Sequence, residues 1–377
     1  MKQDRRAART HVREIVDRLV HSPQSMVTLT DAEMDMTLRV GRRARLLGRV
    51  GNSLKATGHF EALSPVIADQ LEGVLTMANS RRRLALWELD RIDWALADYP
   101  APLIVMKGCT YVLLDLPNAP GRVFADVDLL TERDQLAAVE ELLSKRGWET
   151  QKLSPYDQNY YRNWTHELPP LVHCEREVEI DLHHNVLPPT SRLKPSSDKL
   201  LERSRPVDGS RYRVLCDEDI VLHAMTHLMF DADLDDKIRD LVDIHDLLSY
   251  FAEKRDNFWS DFVQRAEEMG LERPAYYSLR YCRRLLQTPV PASVIEASRR
   301  WAPPRPVVWL MDVLVPRAMY PPHPDAPSTL DAFCRLLLYM RSHWIRMPPW
   351  LLAYHLSYKF FMTRIRRVPN PSANAAG

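Results

Sequence analysis

A short alternating segment near residue 125 is the feature that most restricts the fold of this chain. Apolar and polar side chains alternate from residue 123 to 130, with Val127 and Leu129 on one face and Asp126 and Asp128 on the other. Successive side chains of a strand point to opposite faces. The segment is therefore predicted to be a strand that buries one face and presents two aspartates on the other.

The segments on either side carry a different pattern. Apolar residues recur every three or four positions over the first hundred residues and again from Asp217 onward, which predicts helices. Strand and turn signals occupy the middle, where strands are expected at 102–106, 148–152, 159–173 and 177–183 and a short helix at 109–116. The fold class is therefore α+β, with four units: a helical region at 1–98, an α/β core at 99–190, a loop or lid at 191–215 and a helical region at 216–377.

The amino-acid composition argues against several classes of function. The hydrophobic fraction of 45% with 27% charged residues is typical of a globular protein, and 51 basic against 50 acidic residues give no overall basic field for nucleic acid. There are only 11 glycines, and neither a G-x-G-x-x-G nor a Walker lysine pattern is present. The five cysteines form no C-x-x-C pair, which argues against a zinc ribbon.

The N-terminal residues lack the apolar run of a signal peptide, and no uncharged apolar stretch approaches the length of a spanning helix. We therefore expect a cytoplasmic protein.

The two aspartates of the alternating strand indicate a cation site. Asp126 and Asp128 are two residues apart, so their carboxylates face one region of space and repel each other. A hard divalent cation with oxygen ligands would relieve this repulsion. The alternative is a pair of exposed acids on an edge strand, or acids that accept hydrogen bonds from helix N-termini.

Two further segments extend this pattern. The run Glu179-Ile180-Asp181-Leu182-His183 predicts a second strand with carboxylates between apolar residues. Upstream, Lys107-Gly108 precedes a short helix, whose free N–H groups can bind phosphate oxygens where glycine allows a close approach.

Together these segments resemble a bacterial family of uncharacterised nucleotidyltransferases within the DNA polymerase β-like superfamily. The resemblance rests on Met106-Lys107-Gly108, on residues 122–130 and on residues 179–183, and it covers roughly residues 75–250. His223-Ala-Met-Thr-His227 and Arg239-Asp-Leu-Val-Asp243 are similar to the later helical part of that family. The superfamily turn usually reads Gly-Gly or Gly-Ser, where this chain has Lys107-Gly108.

The resemblance implies a small polymerase β-like sheet and transfer of a nucleoside monophosphate from an NTP, with ATP expected, to a hydroxyl acceptor. It implies two Mg²⁺ or Mn²⁺ ions held by Asp126, Asp128 and Asp181. The acceptor would be a small molecule, a peptide or protein, or an RNA end. Nucleotide contacts are expected from Lys107, Gly108, Cys109 and Arg122.

Several roles have alternatives. Glu179 could replace Asp181 as the third carboxylate, Lys107 could be a solvated strand end, and Arg122 could pair with a neighbouring carboxylate. His183, His227 and Asp243 are accessory candidates, and the histidines are expected to be packed or hydrogen-bonded rather than metal-bound.

The functional class also has an alternative, which is an inactive nucleotide- or partner-binding module on the same fold. Residues 333–368 contain seven Lys or Arg, no acid and several aromatic residues, so they could contact a membrane surface or nucleic acid, or form a helical cap. Replacing Asp126 or Asp128 by Asn is expected to leave the fold intact or slightly stabilised, because each change removes a like charge.

Overall fold

The fold class is confirmed as mixed α+β, with a sheet set among helices. The computed structural model describes residues 2–124, 126–151, 153–176, 178–230 and 234–365. Four helices precede the sheet, as the sequence pattern predicted: α1 (Lys2–His21), α2 (Asp31–Arg43), α3 (Leu47–Ala56) and α4 (Pro65–Ala95).

Local sequence explains where two of these helices begin. Thr30 and Glu33 form a capping box at the start of α2, in which each side chain satisfies a backbone N–H of the other residue. Pro65 occupies the first turn of α4, where its missing N–H costs nothing. The 31-residue α4 buries Leu71 and Leu75 in a helical core and Leu89 and Ile92 against the sheet, so it joins the two cores of the protein.

Seven strands lie in one mixed sheet within the described part of the chain, in the order β3-β4-β5-β2-β1-β7-β6. The strands are β1 (Ile104–Val105), β2 (Asp126–Leu130), β3 (Trp148–Thr150), β4 (Leu171–His173), β5 (Glu179–His183), β6 (Arg205–Pro206) and β7 (Arg213–Val214). The helices between them are α5 (Lys107–Leu113), α6 (Leu136–Ser144), α7 (Pro155–Trp164) and α8 (Ser197–Glu202).

The centre of the sheet is the parallel pair of β2 and β5, in which Asp128 lies opposite Asp181. The other face of this pair is fully buried, with Val127 and Ile180 packed in the core below α4 and α6. Because paired residues of neighbouring strands point to the same face, burial of one face fixes the acids of both strands on the other.

Two predictions of local structure are wrong. Residues 159–173 were predicted as strand, but α7 extends to Trp164, and only β4 at their end is extended. The reason is local: Ser154 caps α7 by accepting the N–H of Asp157, and Pro155 starts its first turn. The predicted loop or lid at 191–215 instead contains α8, β6 and β7, and β7 pairs in parallel with β1.

The rest of the described chain is helical, as the pattern predicted. It comprises α9 (Asp217–Phe230), α10 (Ile238–Lys254), α11 (Phe258–Glu268), α12 (Glu272–Leu286), α13 (Ala292–Ser298), α14 (Arg305–Met319), α15 (Thr329–Arg346) and α16 (Pro349–Ile365). The larger hydrophobic core contains side chains of the first helices and of α9 to α15, so both helical regions share one core.

The basic aromatic segment at 333–368 forms most of α15 and α16, and its last three residues lie outside the described part of the chain. Some of its aromatic side chains pack inward, since Tyr358 stacks on Tyr156 at 3.8 Å between ring centroids. Others, including Phe333 and Trp350, are exposed. Within the described residues, no helix is both long and apolar enough to cross a membrane.

Two glycines allow the first helices to approach the core closely. Gly48 of α3 packs directly on Gly121, which has a φ of +73° in the turn before β2. A Cβ atom at Gly48 would overlap the carbonyl oxygen of Gly121. This contact therefore sets the distance between α3 and the segment that leads into the Asp126–Asp128 strand.

We expect Gly48→Ala to lower the free energy of unfolding by about 1–3 kcal/mol, because the new methyl group must displace backbone. Gly73→Ala is the matched control: Gly73 lies in α4 with open space around it and should gain up to about 1 kcal/mol of stability. Urea denaturation of both variants measures the difference. Equal stability of the two variants would contradict the close approach.

Candidate active site

The acids of β2 and β5 lie together at the centre of the sheet. Ligand atoms of Asp128, Asp181 and His183 lie within 4.8 Å of one another. Asp126 and Glu179 form a pair two residues earlier on the same two strands. Glu179 accepts a hydrogen bond of 2.7 Å from the Nε2 atom of Gln151, which holds its carboxylate at the edge of the group. Of the two candidates for a third carboxylate, Asp181 is therefore the one beside Asp128.

Asp128 is the best-compensated acid of the group. Its side chain is 2% exposed, and its Oδ1 atom accepts hydrogen bonds from Lys107 Nζ at 2.6 Å and His183 Nε2 at 2.9 Å. Burial alone would raise the pKa of Asp128, but Lys107 and His183 outweigh it and hold that pKa below its usual range. Lys107 is thus not a solvated strand end, because it is the counterion of Asp128 in this structure.

Among the described residues, the side chains of Asp126 and Asp181 have no comparable hydrogen-bonded cation. Burial, followed by the charges of Asp128 and Glu167, raises the pKa of Asp181 to about 7. Burial and the charge of Asp128 also raise the pKa of Asp126. The group therefore combines one firmly ionised carboxylate with two that are destabilised as anions, which is the electrostatic condition that a cation would relieve.

The turn before α5 is shaped by packing. Lys107 has a φ of +47°, a left-handed conformation that glycine adopts more easily. Gly108 lies against the ring of Phe124, with which a Cβ atom would overlap. Cys109 is buried, and its thiol donates to the carbonyl oxygen of Asp126 at 3.6 Å. Gly108 and the side chain of Cys109 thus serve packing, and a nucleotide could contact these two residues only through their backbone.

His183 connects the acid group to two residues that sequence analysis missed. Its Nδ1 atom lies 3.4 Å from Oε2 of Glu167, which forms an isolated bridge with it across the sheet edge. The ring of His166 lies 5.3 Å from that of His183, and burial followed by His183 lowers the pKa of His166 well below its usual value. Because 159–173 was predicted as one strand, neither residue could be placed at the site.

Arg122 and Asp243 meet beside the acid group, although 121 positions separate them in the chain. Arg122 forms an ion pair with Asp243, and its guanidinium lies 5.6 Å from the ring centroid of Tyr111. The Nε atom of Arg239 donates to the other oxygen of Asp243 at 3.0 Å. The salt-bridge alternative for Arg122 is therefore the one observed, and Asp243 orients Arg122.

A cleft opens between the core and the helices α9 and α10. Lys107 and Arg122 line its core side, and His223 and His227, one turn apart on α9, line the other. His223 is buried, and this burial together with the charge of Lys107 lowers its pKa well below the usual value. The cleft has a volume of about 70 Å³, and its lining includes Lys107, the residue that neutralises Asp128.

Comparison with known proteins identifies a family for this chain. The model of the family described as uncharacterised nucleotidyltransferase matches residues 30–287, which is about two thirds of the chain and runs from the start of α2 to the end of α12. No curated protein sequence and no solved structure matches the chain. The matched range contains the whole sheet and all of the site residues described above. The chain belongs to the family of uncharacterised nucleotidyltransferases.

Proposed function

We propose that this protein transfers a nucleoside monophosphate from an NTP, with ATP expected, to a hydroxyl group in a reaction that depends on Mg²⁺ or Mn²⁺. The observation that carries the proposal is the position of Asp128 beside Asp181 on neighbouring parallel strands, with Asp126 next along. Family membership supports nucleotidyl transfer as the general reaction.

The donor set fits a hard divalent cation. Carboxylate oxygens are the ligands that Mg²⁺ and Mn²⁺ prefer, and Asp126, Asp128 and Asp181 would hold them. When bound, such ions neutralise charge on the transferring phosphoryl group and lower the pKa of the attacking hydroxyl. The ammonium of Lys107, 2.6 Å from Asp128, shows that a positive charge is already favoured at this place.

The chain's own residues supply the remaining functions. If a cation took over the neutralisation of Asp128, the charge of Lys107, which lines the adjoining cleft, could offset that of the triphosphate. Arg122, held by Asp243, presents a planar guanidinium to the same cleft and can bind phosphate with two hydrogen bonds. Asp181, opposite Asp128 on the neighbouring strand, could also accept the proton of the acceptor hydroxyl.

The ion pair between Lys107 and Asp128 also favours a second candidate function. An internal ammonium that permanently replaces a metal would give a module that binds a nucleotide or partner without turning it over. This alternative differs from the first in one respect that can be measured: it binds without transfer.

The direct test is incubation with each NTP labelled at the α-phosphate, with Mg²⁺ or Mn²⁺ and a cell extract. We expect label to appear in the protein, the RNA or the small-molecule fraction. The fraction that carries the label identifies the class of acceptor. Asp128→Asn should abolish the labelling, because this aspartate is central to the proposed cation site. Binding of NTP without any labelled product would support the binding module instead.

A second prediction separates Asp181 from Glu179. Asp181→Ala should lose nearly all turnover while Mg²⁺–NTP binding survives, because the proposed role of Asp181 concerns the acceptor oxygen in the transition state. Glu179→Ala is the matched control and should keep most of the activity, since Glu179 is held by Gln151. Calorimetric titration beside turnover assays gives both quantities. An inactive Glu179→Ala with an active Asp181→Ala would reverse the assignment.

A third prediction concerns stability in the absence of metal and revises the expectation from sequence. Asp128→Asn should cost about 3 kcal/mol, the lower end for breaking a buried ion pair, because Lys107 remains one quarter exposed. Asp181→Asn should instead raise the melting temperature at pH 8, because it removes a carboxylate with a raised pKa.

The direction of the stability change in Asp181→Asn follows from the pH dependence of the contribution of Asp181. The folded-state pKa of Asp181 is about 7 and its unfolded value is near 4, so the folded protein binds more protons between these values. The contribution of Asp181 to stability therefore falls as the pH rises from 4 to 7. Thermal melts in EDTA should show the advantage of Asp181→Asn growing from pH 5 to pH 8. A constant difference would mean that Asp181 titrates normally.

A further inference from the structure

Four arginines from three separate segments line one cavity on the side of the site that faces the first helices. They are Arg42 and Arg45 near the end of α2, Arg122 before β2 and Arg239 on α10, and we call their cavity the arginine cleft. It has a volume of about 210 Å³, and Asp240 is the acidic residue in its lining. The cleft shares the lining residues Arg122 and Asp240 with the cavity at Lys107, so the two cavities lie side by side.

Basic side chains outnumber acidic ones in the lining of the arginine cleft, where Arg42 and Arg45 are exposed to solvent and Arg122 and Arg239 are more buried. Arg122 and Arg239 both pair with the single carboxylate of Asp243. Asp240 lies 3.4 Å from Lys237, which already offsets its charge. The side chain of Arg239 is 6% exposed, so water does little to stabilise its charge. Burial of a charge without a full partner is costly, and an anion in the cleft would remove this cost.

The state of Arg239 agrees with this imbalance. Burial, followed by the neighbouring charge of Arg122, lowers the pKa of Arg239 to about 9. Its other hydrogen bonds go to the carbonyl oxygens of Asn118 and Arg45, which are neutral. The guanidinium of Arg239 is thus held in the wall of the cleft by one carboxylate, that of Asp243, and by two neutral carbonyl groups.

Arg45 provides an independent observation. It follows α2 with a φ of +55°, and the N–H of Leu46 bonds back to the carbonyl oxygen of Gly41 at 2.9 Å. This is the position where helices most often end in glycine, and an L-residue there costs about 1–2 kcal/mol. Within the described part of the chain, the guanidinium of Arg45 has neither a hydrogen bond nor an ion pair. Arg45 is exposed, so its guanidinium is solvated rather than buried. A charged side chain that a strained backbone holds at a cavity, with no partner among the described residues, is available to bind a ligand.

We propose that the arginine cleft binds an oligophosphate, with Arg45 and Arg122 as its principal contacts. Guanidinium groups match phosphate oxygens with paired hydrogen bonds, and such charge-assisted bonds are the strong ones. The phosphate has two sources that share this chemistry: the triphosphate of the NTP and a phosphate group on the acceptor. The place of this oligophosphate in the reaction rests on the proposed function, whereas its binding to the arginine cleft does not.

The experiment is calorimetric titration of the full chain with inorganic tripolyphosphate in EDTA. Wild type should bind, and Arg45→Gln should weaken binding about tenfold or more, as expected for loss of a charged hydrogen-bonding group. Arg45→Gly should weaken it equally while folding at least as well, because glycine relieves the left-handed conformation. Arg83→Gln, a change at an exposed position of α4, is the control and should stay within about twofold of wild type.

The outcomes separate the proposal from its alternatives. No binding by wild type, or equal binding by wild type and both Arg45 variants, would overturn it. If Mg²⁺–ATP displaces tripolyphosphate, the cleft holds the triphosphate of the nucleotide; if both bind together, it holds a phosphate of the acceptor. Asp128→Asn should still bind tripolyphosphate, so a failure of metal-dependent transfer and a failure of the arginine cleft are distinguishable.

Discussion

The parallel, in-register pairing of β2 with β5 is the constraint on which the rest of the structure depends. It places Asp128 beside Asp181 on one face of the sheet. The arrangement is unfavourable for two carboxylates, and it persists because Val127 and Ile180 are fully buried on the opposite face. A shift of the strand register by one residue would expose these apolar side chains and bury the acids. Burial of the apolar face therefore keeps the carboxylates together in spite of their repulsion.

The protein offsets part of that cost with its own cations. Lys107 and His183 both donate to Asp128, and Lys107 does so from a left-handed backbone conformation that disfavours a side chain. The position before Gly108 is thus occupied by a residue whose ammonium replaces an external cation in the metal-free protein. The proposed enzyme requires this ion pair to open when a divalent ion binds, and the proposed binding module requires it to stay closed.

The helical regions contribute more than support. α10 supplies Asp243, which orients Arg122, and Arg239, which lines the arginine cleft together with Arg45 from the end of α2. The contact of Gly48 with Gly121 brings α3 close enough to the core to form this cleft. Cations from both helical regions therefore surround a sheet whose own face is acidic. The proposed substrate, a nucleoside triphosphate with its divalent cation, would be complementary to such a division.

The sequence by itself determined the strands that carry Asp126, Asp128 and Asp181, because alternation of side chains is a local property of the backbone. It also indicated the turn at Lys107-Gly108, since glycine marks a local backbone requirement. The prediction of a strand at 159–173 was wrong, because Ser154 caps α7 and this helix extends into that range.

Only the tertiary structure decided which charges meet. Asp128 meets Lys107 and His183, Arg122 pairs with Asp243, and Glu167 approaches His183. Each of these contacts joins residues that are separated in the chain. Such contacts depend on how helices pack on the sheet, and no periodicity or short motif encodes that packing.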